Sequence, residues 1–206
     1  DVPSLCRLYG SPPPVPPPPP LSLSLAAWSL SPPRARTILI DWLLEICHDF
    51  RFDIRTWQRA VLILDLSPTP VLTSQLQSVG CAALSVASKV EEVCAATLQD
   101  YVIISASAVD TDTLCRLEAS LHSVLVAPSW IPRGEGDAAR LCALSMYDPL
   151  YAHFGAAAIS AAARRGACDS PARAYLSGLR DYHKGFRKFF GYTNMSSTGS
   201  VSIPLS

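Results

Sequence analysis

Apolar residues between positions 34 and 125 recur every three or four residues, the interval that lines one face of an α-helix. Ile38, Leu39, Trp42, Leu43 and Ile46 form one such stripe and predict a helix over 34–49, with Pro32 and Pro33 limiting it upstream. Trp57, Val61 and Leu64 share a face over 54–66, and Pro68 enforces the stop. Over 72–90 the stripe is Leu76, Val79, Ala83, Val86, Ala87 and Val90, interleaved with Gly80, Cys81, Ala82, Ser85 and Ser88. Such small side chains make a thin helix that others can approach closely, so this third helix is expected at the centre. A short fourth helix fits 97–104. A fifth fits 111–125, with Leu114, Leu117, Leu121, Val124 and Leu125 in register and Asp110 or Thr111 as its cap. Alternating β-branched runs bounded by turn residues are few, so the pattern predicts an all-α fold.

The flanks read differently. Residues 12–20, PPPVPPPPP, lack the amide hydrogens a helix or sheet needs and should form an extended polyproline II rod. Such a rod serves either as a ligand for an aromatic-lined groove or, more simply, as a stiff spacer. The apolar stretch over 21–35, LSLSLAAWSLSPPRA, is not read as a signal peptide, because a proline tract stands where a basic leader belongs. Residues 1–33 are therefore expected to be disordered, and the small polar residues over 191–206 to form a flexible tail.

The 206 residues suffice for one buried core or two small ones. A mean hydropathy of +0.23 argues against wholesale disorder, yet no apolar run approaches the roughly 18 residues of a membrane span, so a soluble protein with no membrane partner is expected. The 17 basic and 17 acidic side chains cancel, which removes the electrostatic steering of a dedicated nucleic-acid binder. The seven cysteines never stand closer than 13 positions apart, so neither a metal centre nor a disulfide framework is expected. Most should be small core residues in a reducing compartment.

Catalytic signatures are missing too. His48, His122, His153 and His183 are scattered, and neither a nucleophile elbow nor a glycine-rich phosphate loop occurs. The adjacent Glu91 and Glu92 would diverge by about 100° on a helix and cannot face one substrate. No cofactor is expected.

Four charged residues stand on otherwise apolar helices: Arg36, Asp65, Lys89 and Glu118. A charge on such a face needs a structural partner or a binding role. Together with their surroundings they carry a resemblance. The strings RTILIDWLLEI (36–46), ILD (63–65), LQSVGCAALSVASKVEEV (76–93) and LCRLEASLHSVL (114–125) closely resemble the first cyclin box of mitotic A- and B-type cyclins. The resemblance implies the cyclin fold: an N-terminal cyclin box over 34–127, then a reduced second helical repeat over 128–190. It assigns Arg36 and Asp65 to a buried ion pair between the first two helices. It assigns Lys89 and Glu118 to a pair that hydrogen-bonds the backbone of a cyclin-dependent protein kinase, with Val86, Val90 and Glu92 beside the grip. The alternative for Lys89 and Glu118 is an ion pair that serves only its own chain.

Family members also carry a groove for basic-leucine motifs of substrates and inhibitors. The matching positions are Ile38, Leu39, Trp42, Glu45 and Gln77; Ala35 stands where the family usually has Met and Thr73 where a basic residue is common. Packing of Ile38, Leu39 and Trp42 into the core is the competing role. Further on, RLCALSMYDPLYAHFGAAAISAAARRG (140–166) is similar to the opening of the second box, although the connection from Leu125 to Leu141 is short. A helix is expected over 170–190, where Tyr175, Leu179, Tyr182 and Phe186 form a stripe. Its polar face, with Arg173, Arg180, Lys184, Arg187 and Lys188, reads as solvated rather than nucleic-acid-binding.

The resemblance thus implies a non-enzymatic regulatory subunit, nuclear or cytoplasmic, that allosterically activates a cyclin-dependent kinase in cell-cycle control. The alternative is a cyclin-fold scaffold or transcription-type adaptor without kinase activation.

Overall fold

The computed structural model describes residues 27–32, 34–67, 70–122, 137–148, 151–154, 156–164, 171–179 and 183–191, and every regular element among them is helical. The first group comprises α1 (Ala35–Phe50), α2 (Ile54–Asp65), a 3-10 turn (Thr73–Gln75), α3 (Leu76–Glu91), α4 (Leu98–Ile104) and α5 (Thr111–His122). The second comprises α6 (Asp137–Ser145), α7 (Tyr151–Phe154), α8 (Ala156–Arg164), α9 (Pro171–Gly178) and α10 (Lys184–Phe190).

Helix α3 occupies the centre, packed against α1, α2, α4 and α5, and it is buried without a break from Val79 through Ser88. Its small residues permit this closeness. A β-carbon at Gly80 would come within 2.8 Å of a Leu39 methyl on α1. Helix α2 is buried nearly all round, and the indole nitrogen of Trp57 donates to the Ile40 carbonyl at 2.7 Å, joining α2 to α1. The helix starts are capped by side chains that accept orphan amides. Asp53 accepts from the Arg55 amide at 2.9 Å, Thr97 and Asp100 form a capping box, and Asp110 accepts from the Thr113 amide at 2.8 Å. In the second group, α8 packs on α6, α7 and α9, while α10 lies along α1. Buried apolar side chains of both groups form one core.

Four expectations about the fold need correction. Residues 27–32, expected to be disordered with the rest of 1–33, are placed, with Ala27 buried and the Trp28 indole bonded to Asp65. The apolar stripe of α1 is rotated: Leu39, Leu43 and Ile46 are buried together with Ile40, Leu44 and Cys47, whereas Ile38 is 65% exposed and Trp42 half-buried. Positions 38–40 and 42–44 are all apolar, so spacing could not choose the face. Helix α3 starts at Leu76 rather than at position 72, because the Val71 amide donates to the Ala27 carbonyl at 2.8 Å and the Ser31 hydroxyl donates to the Val71 carbonyl. That pairing holds the chain extended until residue 73. The single helix expected over 170–190 is two, since α9 ends at Gly178 and α10 begins at Lys184. A glycine weakens a helix interior, and α10 finds its own site on α1. Of the fifth stripe, Val124 and Leu125 lie outside the described residues, as do the proline tract, the 192–206 tail and Tyr182.

Candidate functional site

Two opposite-charge pairs organise the first group of helices. The inner one joins α1 to the end of α2. The Arg36 side chain reaches Asp65 through two parallel hydrogen bonds, Nε to Oδ1 at 2.8 Å and Nη2 to Oδ2 at 2.7 Å, with both residues buried. Asp65 also accepts from the Trp28 indole at 2.9 Å and from the Tyr151 hydroxyl at 3.0 Å. Arg36 donates further to the Met146 carbonyl at 2.9 Å. The pair thus ties the segment before α1, both first helices and the second group together. Burial alone would lower the pKa of Arg36, but the Asp65 carboxylate, with smaller contributions from Tyr151 and Asp148, leaves it raised on balance. Burial in turn pushes the Tyr151 phenol well up, reinforced by the Asp65 charge. Trp28, Met146 and Tyr151 were not anticipated from sequence. The available signal was chemical: a buried carboxylate has more acceptor sites than one arginine fills, and a buried indole N–H needs an acceptor.

The outer pair stands where α3 leaves the core. Lys89 Nζ donates to both carboxylate oxygens of Glu118 on α5, each at 2.8 Å. The Lys89 side chain is 50% exposed and that of Glu118 14%. The two sequence alternatives therefore meet in one geometry: the charges pair with each other, yet the cation faces outward. Val90 beside them is exposed.

Two residues expected at this rim are placed otherwise. Val86 is only 4% exposed and belongs to the core, because α3 stays enclosed through Ser88. Glu92 turns inward, accepting from the Asp53 amide at 2.8 Å and from the Thr56 hydroxyl, so it closes the N-terminus of α2. Its neighbour Glu91 accepts from Arg59 at 2.6 Å and lies 3.4 Å from Arg55. The adjacent acids hold α3 to α2.

The positions matched to the docking groove are divided as well. Leu39 is core and unavailable to a ligand, a consequence of its contact with α3 at Gly80. Ile38 and Gln77 are exposed, and Trp42 and Glu45 are half-buried. Glu45 is already engaged: Lys184 of α10 reaches its Oε2 at 3.0 Å, and Lys188 reaches Asp49 Oδ1 at 2.6 Å. The basic face of the last helix is thus directed in part at α1 rather than at solvent. Each charge repeats four residues on, and the two rows match.

Among the described residues, Cys47, Cys81 and Cys142 are buried thiols and Cys94 and Cys115 are exposed. Burial pushes the thiols of Cys81 and Cys142 up to about 12, the range of inert core cysteines. No group of three His, Cys, Asp or Glu side chains able to hold a metal occurs among the described residues, and no helix there is long and apolar enough to cross a membrane.

An all-α box with a central small-residue helix, an Arg–Asp tie between its first two helices and a Lys–Glu pair between its third and fifth defines a cyclin fold. Residues 22–126 match the family described as cyclin, N-terminal domain, and the chain belongs to that family. Its box is of the mitotic A- and B-type. The chain is similar to Cyclin-A1 of Xenopus laevis, 36% identical over 99 residues, which is 47% of this chain and 24% of that protein. The G2/mitotic-specific cyclin-A of Drosophila melanogaster is 34% identical over 92 residues, 44% of this chain and 19% of that protein. The G2/mitotic-specific cyclin-B2 of Mesocricetus auratus is 36% identical over 87 residues, 41% of this chain and 22% of that protein. The matched stretch therefore spans about a quarter of these relatives or less.

Proposed function

We propose that this chain is a non-catalytic regulatory subunit that binds a cyclin-dependent protein kinase at the rim of α3 and α5 and activates it in cell-cycle control. The observation that carries this reading is the Lys89–Glu118 pair, two opposite charges from separate helices at 2.8 Å with the cation half exposed. A lysine donates to carbonyl oxygens and a carboxylate accepts from amides, so the pair can grip foreign main chain of either polarity. An exposed ion pair contributes about 0–1 kcal/mol to its own fold, so exchanging partners costs little. Exposed Val90 adds apolar area at the same edge. The cyclin-A and cyclin-B relatives support the same assignment.

Activation is allosteric on this reading. A subunit that binds the active kinase conformation better than the inactive one shifts the population toward it, and a shift from 1:99 to 99:1 requires about 5.5 kcal/mol of differential affinity. Two side chains do not supply that alone; the rest of the rim must contribute. Nuclear or cytoplasmic residence goes with this role. A remnant of the docking groove, Ile38, Trp42, Glu45 and Gln77, is assigned to basic-leucine motifs. A basic face over 164–188 free to bind other molecules would favour the adaptor alternative, and the pairing of Lys184 with Glu45 of α1 counts against it.

The test is reconstitution of histone-directed activity with a purified cyclin-dependent kinase. Wild type is expected to stimulate it, and a Lys89→Ala/Glu118→Ala chain of unchanged melting temperature is expected not to. Equal stimulation by both would remove the pair from the mechanism.

A further inference from the structure

One face of α1 carries Ile38, Asp41, Trp42, Glu45 and Asp49 at helical intervals, an acidic row with apolar side chains at one end. The structure itself displays a segment that fits it. Helix α10 places Lys184 on Glu45 at 3.0 Å and Lys188 on Asp49 at 2.6 Å. The Asp41 carboxylate accepts the Phe186 amide at 3.2 Å, at the start of α10, and the Tyr147 hydroxyl at 2.8 Å. Between the two lysines the backbones touch: a β-carbon at Gly185 would lie 2.0 Å from the Asp41 carbonyl oxygen. Only glycine permits this approach. The aromatic side of α10 completes the seat, with Phe186 and Phe190 buried and the Phe190 carbonyl accepting from Arg140 at 3.3 Å.

We propose that α10 is an intramolecular occupant of the acids of this α1 face, Asp41, Glu45 and Asp49, and withholds them from basic-aromatic or basic-leucine segments of other proteins, while Ile38 stays exposed beside it. The proposal rests on the groove reading for what competes with α10, since Glu45 is the acid shared by both. Helix α10 has seven residues, a length with little helical stability of its own in water, so its order depends on α1 and α6. The apparent affinity of any competing segment then falls by the fraction of molecules in which α10 has left.

The test uses the full chain and two fluorescein-labelled peptides, one copying residues 183–191 and one carrying an Arg-x-Leu motif, read by fluorescence anisotropy. Lys184→Glu/Lys188→Glu alters exposed or half-exposed lysines and repels α10 from Glu45 and Asp49. Gly185→Val drives α10 off through the Asp41 carbonyl. Circular dichroism confirms that each variant stays helical, and the charge reversal stands in where the glycine variant does not. Both variants are expected to bind the 183–191 peptide at least about tenfold tighter than wild type, a gain that a further Glu45→Lys change abolishes. Affinity equal to wild type, or no binding by any chain, overturns the proposal. Tighter binding of the 183–191 peptide alone keeps the intramolecular cap and removes the basic-leucine groove. Arg-x-Leu binding by wild type and variants alike does the reverse.

Discussion

The interior where α1, α2, α6 and α7 meet and the rim where α3 meets α5 use the same chemistry to opposite ends. Each holds one cation against one carboxylate at about the same separation, 2.7 Å for Arg36–Asp65 and 2.8 Å for Lys89–Glu118. The difference is water. In the interior neither charge can be left alone, so Asp65 gathers Trp28 and Tyr151 and Arg36 gathers the Met146 carbonyl. At the rim Lys89 keeps half its side chain in solvent. Burial, not the pairing itself, separates the pair locked in the interior from the one that solvent reaches.

The sharpest way to break this contrast is to remove one partner on each side. Asp65→Ala orphans a buried guanidinium and is expected to cost about 3–5 kcal/mol, seen as a large drop in the urea midpoint. A loss below about 1 kcal/mol would mean that Arg36 finds water or another acceptor. Tyr151→Phe removes one hydrogen bond to the same carboxylate and should cost about 1–2 kcal/mol. It also tests whether the second group of helices truly supports the first, since a neutral result would detach α7 from the pair. At the rim, Lys89→Ala/Glu118→Ala should change stability by no more than about 1 kcal/mol in the same titration. A loss as large as that of Asp65→Ala would make the rim pair structural.

The smallest expected effect separates the rim from the α1–α10 contact. The hydrogen bond from Lys188 holds the Asp49 carboxyl below its ordinary value. A folded-state pKa below the unfolded one contributes stability that is present above about pH 4 and lost as the pH falls through the depressed value. The protection factors of the Phe186–Phe190 amides, corrected for the intrinsic pH dependence of exchange, are therefore expected to fall as the pH drops from about 4 to about 3, before those of α3, and Lys188→Ala should blunt the change. Unaltered protection of α10 over that range would show that Asp49 does not help hold it.

The helical class and the first five helices were legible because their stripes are regular and their ends carry Asp110 and flanking prolines. What periodicity could not resolve was orientation within a wholly apolar stretch: Ile38 and Leu39 are adjacent in sequence, yet one faces solvent and the other packs on Gly80. The same limit hid the burial of Val86. Glu92 read as a rim residue beside Lys89 because its partners, Asp53 and Thr56, lie far back in sequence at the start of another helix. Lys184 and Lys188 read as solvated for the same reason, since the acids opposite them are on α1. Long-range pairing is not encoded in spacing. The Arg–Asp and Lys–Glu positions were legible only through their resemblance to a known box.

The most direct measurement is equilibrium titration of a purified cyclin-dependent kinase with wild type and the Lys89→Ala/Glu118→Ala chain, both first shown to melt at the same temperature. Truncating a charge pair that becomes buried in an interface costs about 2 kcal/mol or more, so binding of the double variant should be at least about thirtyfold weaker. Dissociation constants that coincide within error would contradict the account.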